Sequence, residues 1–227
     1  MFKISIIIPT LNEANNLPLL LSDLLTTYKE GEIIIVDCGS EDKTIDIANI
    51  YGAKVYKSKE RNRGLQLDMG DNNSKEDWLL FFHADTRLPH DWFRKINSIL
   101  NGDKNYIYYF KFKIYHKKMI FRVLEILVNL RSRFFKQPYG DQGLIIHRTT
   151  YFKNNGFRKI PLMEDVDFLR RLNKKNYLKQ LNLPIFISSR KWERTNIFSQ
   201  AIKNRHFRRR WLKGESLKSI YSDYYKK

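Results

Sequence analysis

Apolar residues in the first third of the chain come in short, unbroken β-branched runs, separated by stretches with helical spacing. Ile6, Ile7 and Ile8 form one run, and Ile33, Ile34, Ile35 and Val36 another. Runs this short, with no polar alternation, are the pattern of strands covered on both faces, as in a mostly parallel sheet. The pattern predicts strands over Ser5–Ile8, Glu32–Asp37, Ala53–Lys57 and Trp78–Phe82, with helices near Asn15–Tyr28 and Asp42–Tyr51. Strand and helix alternating in this way give an α/β domain built on a central sheet. The second half changes character. It predicts an aromatic strand over Tyr106–Tyr115, a helix near Lys117–Lys136, a short strand over Leu144–His147, and helices near Glu164–Lys174 and Asn196–Lys213. Gly and Pro fall singly at turns and no linker divides the halves, so the expectation is one domain over residues 1–227.

In such sheets ligands bind outside the carboxyl ends of the strands. The polar residues just past each run are Asn12 and Glu13, then Asp37, then His83 and Asp85. Taken singly, each is equally well explained as a turn or capping residue.

Composition narrows the setting more than the reaction. The chain has 227 residues, 42% of them hydrophobic, which is enough for one sizeable core. Cys38 is the only cysteine, which excludes an internal disulfide and a thiolate zinc cage and fits a reducing compartment. The apolar stretch Ile4–Ile8 runs straight into Pro9, Asn12 and Glu13, so no leader is expected and the protein is expected in the cytoplasm. Met119–Leu130 is too short to span a bilayer and contains Arg122 and Glu125. The formal charge of +18 suits phosphorylated ligands, an anionic membrane or nucleic acid, and equally a solvated lysine-rich surface.

One stretch bears on that choice. In KKMIFRVLEILVNLRSRFFK, Ile120, Val123, Leu124, Leu127 and Phe134 recur at helical spacing between basic ends. A core-facing stripe is the favoured reading, and a helix lying on an anionic membrane is the other. Lys203, Arg205, Arg208, Arg209, Arg210 and Lys213, interleaved with Phe207 and Trp211, add weight to the second.

Several segments together resemble the family 2 glycosyltransferases of the GT-A fold along nearly the whole chain. SIIIPTLNEANNL is similar to that family's first strand and nucleotide loop, with Pro9, Asn12 and Glu13, and IIIVDCGSEDKT to its second strand and acidic turn. The combination of HADTRLP, YGDQG, PLMEDVDF and SRKWER resembles a small bacterial subgroup. The resemblance implies a sugar donor activated by a nucleoside diphosphate, a divalent ion (Mg2+ or Mn2+), and a hydroxyl acceptor, with a lipid among the candidates. It implies a donor-binding half over 1–88 and an acceptor-binding half over 89–227.

The same resemblance assigns roles. Asp37 contacts the base or ribose, Asp85 with Ala84 occupies the end of the metal-binding acidic element, and Asp165 is the general base of an inverting displacement. His83 stands where a first acid is usual. Because imidazole prefers softer metals, His83 is read instead as a contact to the sugar or diphosphate. Arg63 and Gln66, near the start of a helix, face the donor phosphates, while Arg190, Trp192 and Arg194 cover the diphosphate. Gly140, Asp141 and Gln142, with Glu164, line the acceptor side.

A nucleotidyltransferase would need a glycine- and lysine-rich triphosphate loop that PTLNEANN lacks. A non-catalytic nucleic-acid binder leaves acids at strand ends unexplained, because they repel phosphates. Nucleic acid is therefore not the expected partner.

Overall fold

The structure is a computed structural model and describes residues 2–172, 177–189 and 197–225. One eight-stranded sheet organises it, in the order β3-β2-β1-β4-β7-β6-β8-β5. The strands are β1 (Ile4–Thr10), β2 (Glu32–Asp37), β3 (Lys54–Lys57), β4 (Trp78–Phe81), β5 (Thr86–Arg87), β6 (Tyr106–Ile114), β7 (Leu144–His147) and β8 (Tyr177–Ile187). β3, β2, β1 and β4 run parallel; β7 is antiparallel to both its neighbours, β6 pairs with β8 in parallel, and β5 closes the edge antiparallel to β8.

The continuous runs sit where two-sided burial requires them. Ile4, Ile6, Ile7, Ile8, Ile34, Ile35 and Val36 are fully buried and divide between the apolar layers above and below the sheet. One layer is closed by α1 (Leu17–Thr27), which buries Leu17, Leu20, Leu21 and Leu24 at helical spacing and carries a proline in its first turn. α2 (Thr44–Ile50) follows β2. α3 (Arg63–Asn72) starts at Asn62, whose side-chain oxygen accepts the Leu65 N–H at 3.0 Å. It packs so closely that a Cβ on Gly70 would collide with Ile7, and one on Gly64 would lie 2.6 Å from the Ile160 carbonyl oxygen.

The remaining helices are α4 (Trp92–Asn97), α5 (Met119–Phe134), α6 (Arg148–Lys153), α7 (Glu164–Arg171), α8 (Ile197–Leu212) and α9 (Leu217–Tyr225), with a 3-10 turn at Gly140–Gln142. The predicted elements are all present with ends moved by a few residues. β5, β8, α4, α6 and α9 are additions.

The favoured reading of the α5 stripe is overturned. Phe121, Leu124 and Val128 face the core, whereas Ile120, Val123, Leu127 and Phe134 are exposed. The periodicity was that of a helix, but the larger apolar face points outward.

Candidate functional site

The carboxyl ends of β1, β2 and β4 and the start of α3 open onto a cavity of about 300 Å³. Pro9, Glu13, Arg63, Gln66, His83, Ala84 and Asp85 all line it, so seven of the predicted donor residues come together, joined by Thr10, Leu11, Cys38 and Arg61. Gln66 is buried and holds the floor: its Nε2 donates to the carbonyls of Thr10 (3.0 Å) and Val36 (2.7 Å). The segment carrying His83 and Asp85 is fixed from behind. Arg87 donates to both carboxylate oxygens of Asp23 on α1, at 2.6 and 2.9 Å, and the Leu88 N–H donates to the same group at 2.9 Å.

Two predicted donor residues serve the loops and do not line the cavity. Asp37 is fully buried, and its Oδ1 accepts the Gly39 and Ser40 N–H groups at 2.9 and 2.8 Å. Its Oδ2 accepts the hydroxyls of Thr10 (2.9 Å) and Ser40 (2.5 Å). Its oxygens hold the turn that brings Cys38 to the cavity wall. Asn12 has a left-handed backbone (φ 55°); its side chain accepts the Glu41 N–H and its own N–H donates to Ser40 Oγ. It fastens the two loops together.

A second cavity of about 290 Å³ shares Arg63, His83, Asp85 and Pro161 with the first. Gly140, Asp141, Glu164 and Asp165 line it as expected, with Tyr139, Met163 and Ser188. At the junction the Arg63 guanidinium donates to His83 Nε2, and Arg63 Nε lies 3.2 Å from Glu164 Oε1. With arginine as donor, the imidazole proton sits on Nδ1, and Nε2 is occupied. A Cβ on Gly140 would collide with the Arg63 guanidinium and lie 3.0 Å from His83 Nε2, so glycine here leaves room for that pair.

α7 begins at the cavity wall after Met163, whose backbone is left-handed (φ 63°) although it is not glycine. Such conformations persist where the surroundings enforce them, and here the turn aims two successive acids inward. Asp165 accepts the Gly140 N–H at 2.8 Å on Oδ2 and the Val166 N–H at 2.7 Å on Oδ1. Glu164 is buried. Desolvation pushes its carboxyl up to about 7, opposed by Arg63 and reinforced by the charge of Asp165. Its Oε1 faces Arg63 without a hydrogen bond.

Gln142 corrects the expected acceptor contact. It is fully buried behind the cavity, where its Oε1 accepts Ser132 Oγ (2.5 Å) and its Nε2 donates to the Phe110 carbonyl (3.3 Å). Arg190, Trp192 and Arg194 lie outside the described residues.

Among the described residues, no group of three or more His, Cys, Asp or Glu side chains is placed to hold a metal. The described side chains do not form a cage for a resident ion. Asp85, a single carboxylate on the wall of both cavities, fits an ion that arrives with the donor, since Mg2+ commonly takes one or two carboxylates and completes its shell with substrate phosphates and water.

Residues 5–165 match the family model described as Glycosyl transferase family 2. The chain belongs to this family. Among its relatives is a PGL/p-HBAD biosynthesis glycosyltransferase of Mycobacterium bovis, 38% identical over 91 residues. That match covers 37% of this chain and 36% of the relative, so the chain spans little more than a third of that protein's length. Two solved structures share the fold. The crystal structure of S. aureus TarS 1-349 in complex with UDP-GlcNAc matches with TM-score 0.64 at 17% identity, covering 82% of this chain and 58% of that one. Glucosyl-3-phosphoglycerate synthase from Mycobacterium tuberculosis, in complex with Mn2+, UDP and glucosyl-3-phosphoglycerate, matches with TM-score 0.58 at 19% identity, covering 81% and 70%. The fold is GT-A, and membership of a glycosyl transferase family over residues 5–165 supports neither the nucleic-acid binder nor the nucleotidyltransferase.

Within this family 2 chain, the residues that sequence reasoning missed come from its far end. Asn204 and Arg208 on α8 and Tyr224 on α9 line the second cavity. Arg208 donates to Gln137 Oε1 and to the Tyr139 hydroxyl, both at 2.8 Å, and Arg131 stacks 3.7 Å from the Tyr139 ring centre. Arg208 stood in the basic cluster read as a membrane signal. Nothing local distinguished it from its neighbours.

Proposed function

We propose that this glycosyltransferase moves a sugar from a nucleoside-diphosphate donor in the first cavity to an acceptor hydroxyl in the second, by single displacement with inversion. The observation that carries the reading is the junction. Both cavities are walled by Arg63, His83 and Asp85, and Asp165 stands on the acceptor side of it. A leaving diphosphate and an attacking hydroxyl on opposite sides of one anomeric carbon need this arrangement.

The acceptor oxygen forms the new bond to the anomeric carbon as its proton passes to the carboxylate of Asp165. The bond to the diphosphate oxygen breaks, and the nucleoside diphosphate leaves with the electron pair. Arg63 offsets the charge that gathers on the leaving group. A divalent ion at Asp85, brought by the donor, would supply further charge neutralisation. Glu164 Oε1 is placed to accept a hydrogen bond from a second hydroxyl of the acceptor. Asp37, Asn12 and Gln66 shape the donor floor from behind. The UDP and UDP-GlcNAc complexes of the two structural neighbours, one of them with Mn2+, support a nucleotide sugar and a metal partner. The donor cavity draws its walls from residues 9–85 with Pro161, in keeping with a donor half at 1–88 and an acceptor half at 89–227 in one domain.

The test is the thermal midpoint of the chain against UDP-, GDP-, dTDP- and CDP-sugars, each with Mn2+, Mg2+ or EDTA. One nucleotide should raise it, more with metal than with EDTA, while metal alone should leave it unmoved. A midpoint indifferent to every nucleotide would overturn the donor reading.

A further inference from the structure

α5 presents to solvent a face that no described part of the fold covers. Met119 is 75% exposed, Val123 48%, Ile126 58%, Leu127 54%, Leu130 45% and Phe134 73%. At about 100° per residue these six side chains fall within roughly a 100° arc that contains no polar residue. Isolated exposed apolar side chains are ordinary, but a contiguous stripe along a whole helix marks a contact surface.

The rim of the stripe identifies the partner. Lys117 and Lys118 are exposed at one end of α5, Arg133 and Lys136 at the other. The only acid on the helix, Glu125, is buried and neutralised by Arg122, whose Nη1 lies 2.8 Å from it. Exposed cations therefore stand at both ends of the apolar stripe, and no exposed acid lies on the helix. A second copy docked through a two-fold axis would bring these like charges together, in a chain already at +18. An apolar stripe with lysine and arginine at both ends and no exposed acid on its helix complements an anionic bilayer, where the side chains enter the acyl boundary and the cations meet phosphate headgroups.

We propose that α5 lies in the plane of an anionic phospholipid bilayer and docks the enzyme there. The C-terminal end of α5 adjoins the acceptor cavity, because Arg131 stacks on Tyr139 and Tyr139 lines that cavity. Docking brings the cavity to the headgroup level, which fits an amphiphilic acceptor whose hydroxyl projects from the membrane. This second clause rests on the transfer reading above; the docking itself does not.

The test is flotation of the full chain with vesicles of phosphatidylglycerol and phosphatidylcholine, and with vesicles of phosphatidylcholine alone, at low and high salt. The chain should float with the anionic vesicles at low salt only. The double variant Ile126→Asp/Leu130→Asp should lose about tenfold or more in partitioning. Arg133→Gln/Lys136→Gln should lose about fivefold per charge removed. Both pairs are exposed, so circular dichroism and melting should match wild type, and the nucleotide-induced rise in midpoint should persist. That last readout separates loss of docking from failure of the donor assignment. Equal flotation with both vesicle types, none with either, or undiminished flotation of the Ile126→Asp/Leu130→Asp chain would overturn the proposal. So would a dimer in sedimentation equilibrium that the same variant dissociates.

Discussion

At the residue scale the two acids opening α7 differ in surroundings, and their environments predict separate behaviour. Asp165 is held by two backbone N–H groups on the cavity wall and is the proposed base. Asp165→Asn keeps the shape and one of the two acceptors for those N–H groups but cannot take a proton. Transfer should fall by about a hundredfold to ten-thousandfold with donor binding unchanged and at most a small drop in melting temperature; full activity in a folded variant would sink the assignment. Glu164 titrates near 7 because burial disfavours its charge. A carboxyl raised in the folded state contributes stability that is present below the ordinary glutamate range and is lost as pH rises through about 7. Glu164→Gln removes that dependence. Between about pH 5 and about pH 8 the wild type should lose up to about 3 kcal/mol relative to the variant, at about 1.4 kcal/mol for each tenfold change in the protonation equilibrium. Melting both proteins across that range checks it, and parallel curves would refute the burial argument.

At the element scale the start of α3 decides whether the cavities join. Asn62 caps the helix, the Gly64 N–H donates to the Ile160 carbonyl at 3.1 Å, and Arg63 between them reaches both His83 and Glu164. A Cβ at position 64 meets the Arg158 and Ile160 carbonyls, which are backbone and cannot rotate away. Gly64→Ala should therefore destabilise the chain by about 1–3 kcal/mol and weaken the nucleotide-induced rise in midpoint. A variant with wild-type melting would show that the 158–160 segment yields freely. The strands of the first half were legible because a run such as Ile33–Val36 buried on both faces has no polar interruption. β8 was not among the predicted strands although Leu181, Leu183, Ile185 and Ile187 alternate inward along it; Pro184 interrupts the run, and its pairing with β6 joins residues some seventy positions apart across a register shift between Tyr109 and Lys111. Such pairing leaves no local pattern to read.

At the scale of the whole molecule the C-terminal helices complete the second cavity, the proposed acceptor side. Arg208 ties α8 to Gln137 and Tyr139, so Arg208→Ala should raise the KM for acceptor severalfold while the donor-induced change in midpoint stays as in wild type. Loss of both together would mean that α8 also holds the donor half. Which residues meet was partly written along the chain: the acids at the ends of β1, β2 and β4, the turn before α7, and the pattern of HADTRLP and PLMEDVDF fixed the fold class and the neighbourhood of the site, because parallel strands deliver their carboxyl ends to one edge. Tertiary structure alone decided the contacts within that neighbourhood. Asp37 and Gln142 are polar residues in motif positions whose hydrogen bonds turn out to be satisfied inside the protein. Arg208 enters the site from a helix more than forty residues beyond Asp165. The apolar spacing of α5 declared a helix with an apolar stripe, but only packing could choose Phe121, Leu124 and Val128 for the core and leave the wider face to solvent. Periodicity records which residues share a face. What that face meets depends on contacts between segments far apart in the chain, and those exist only once it has folded.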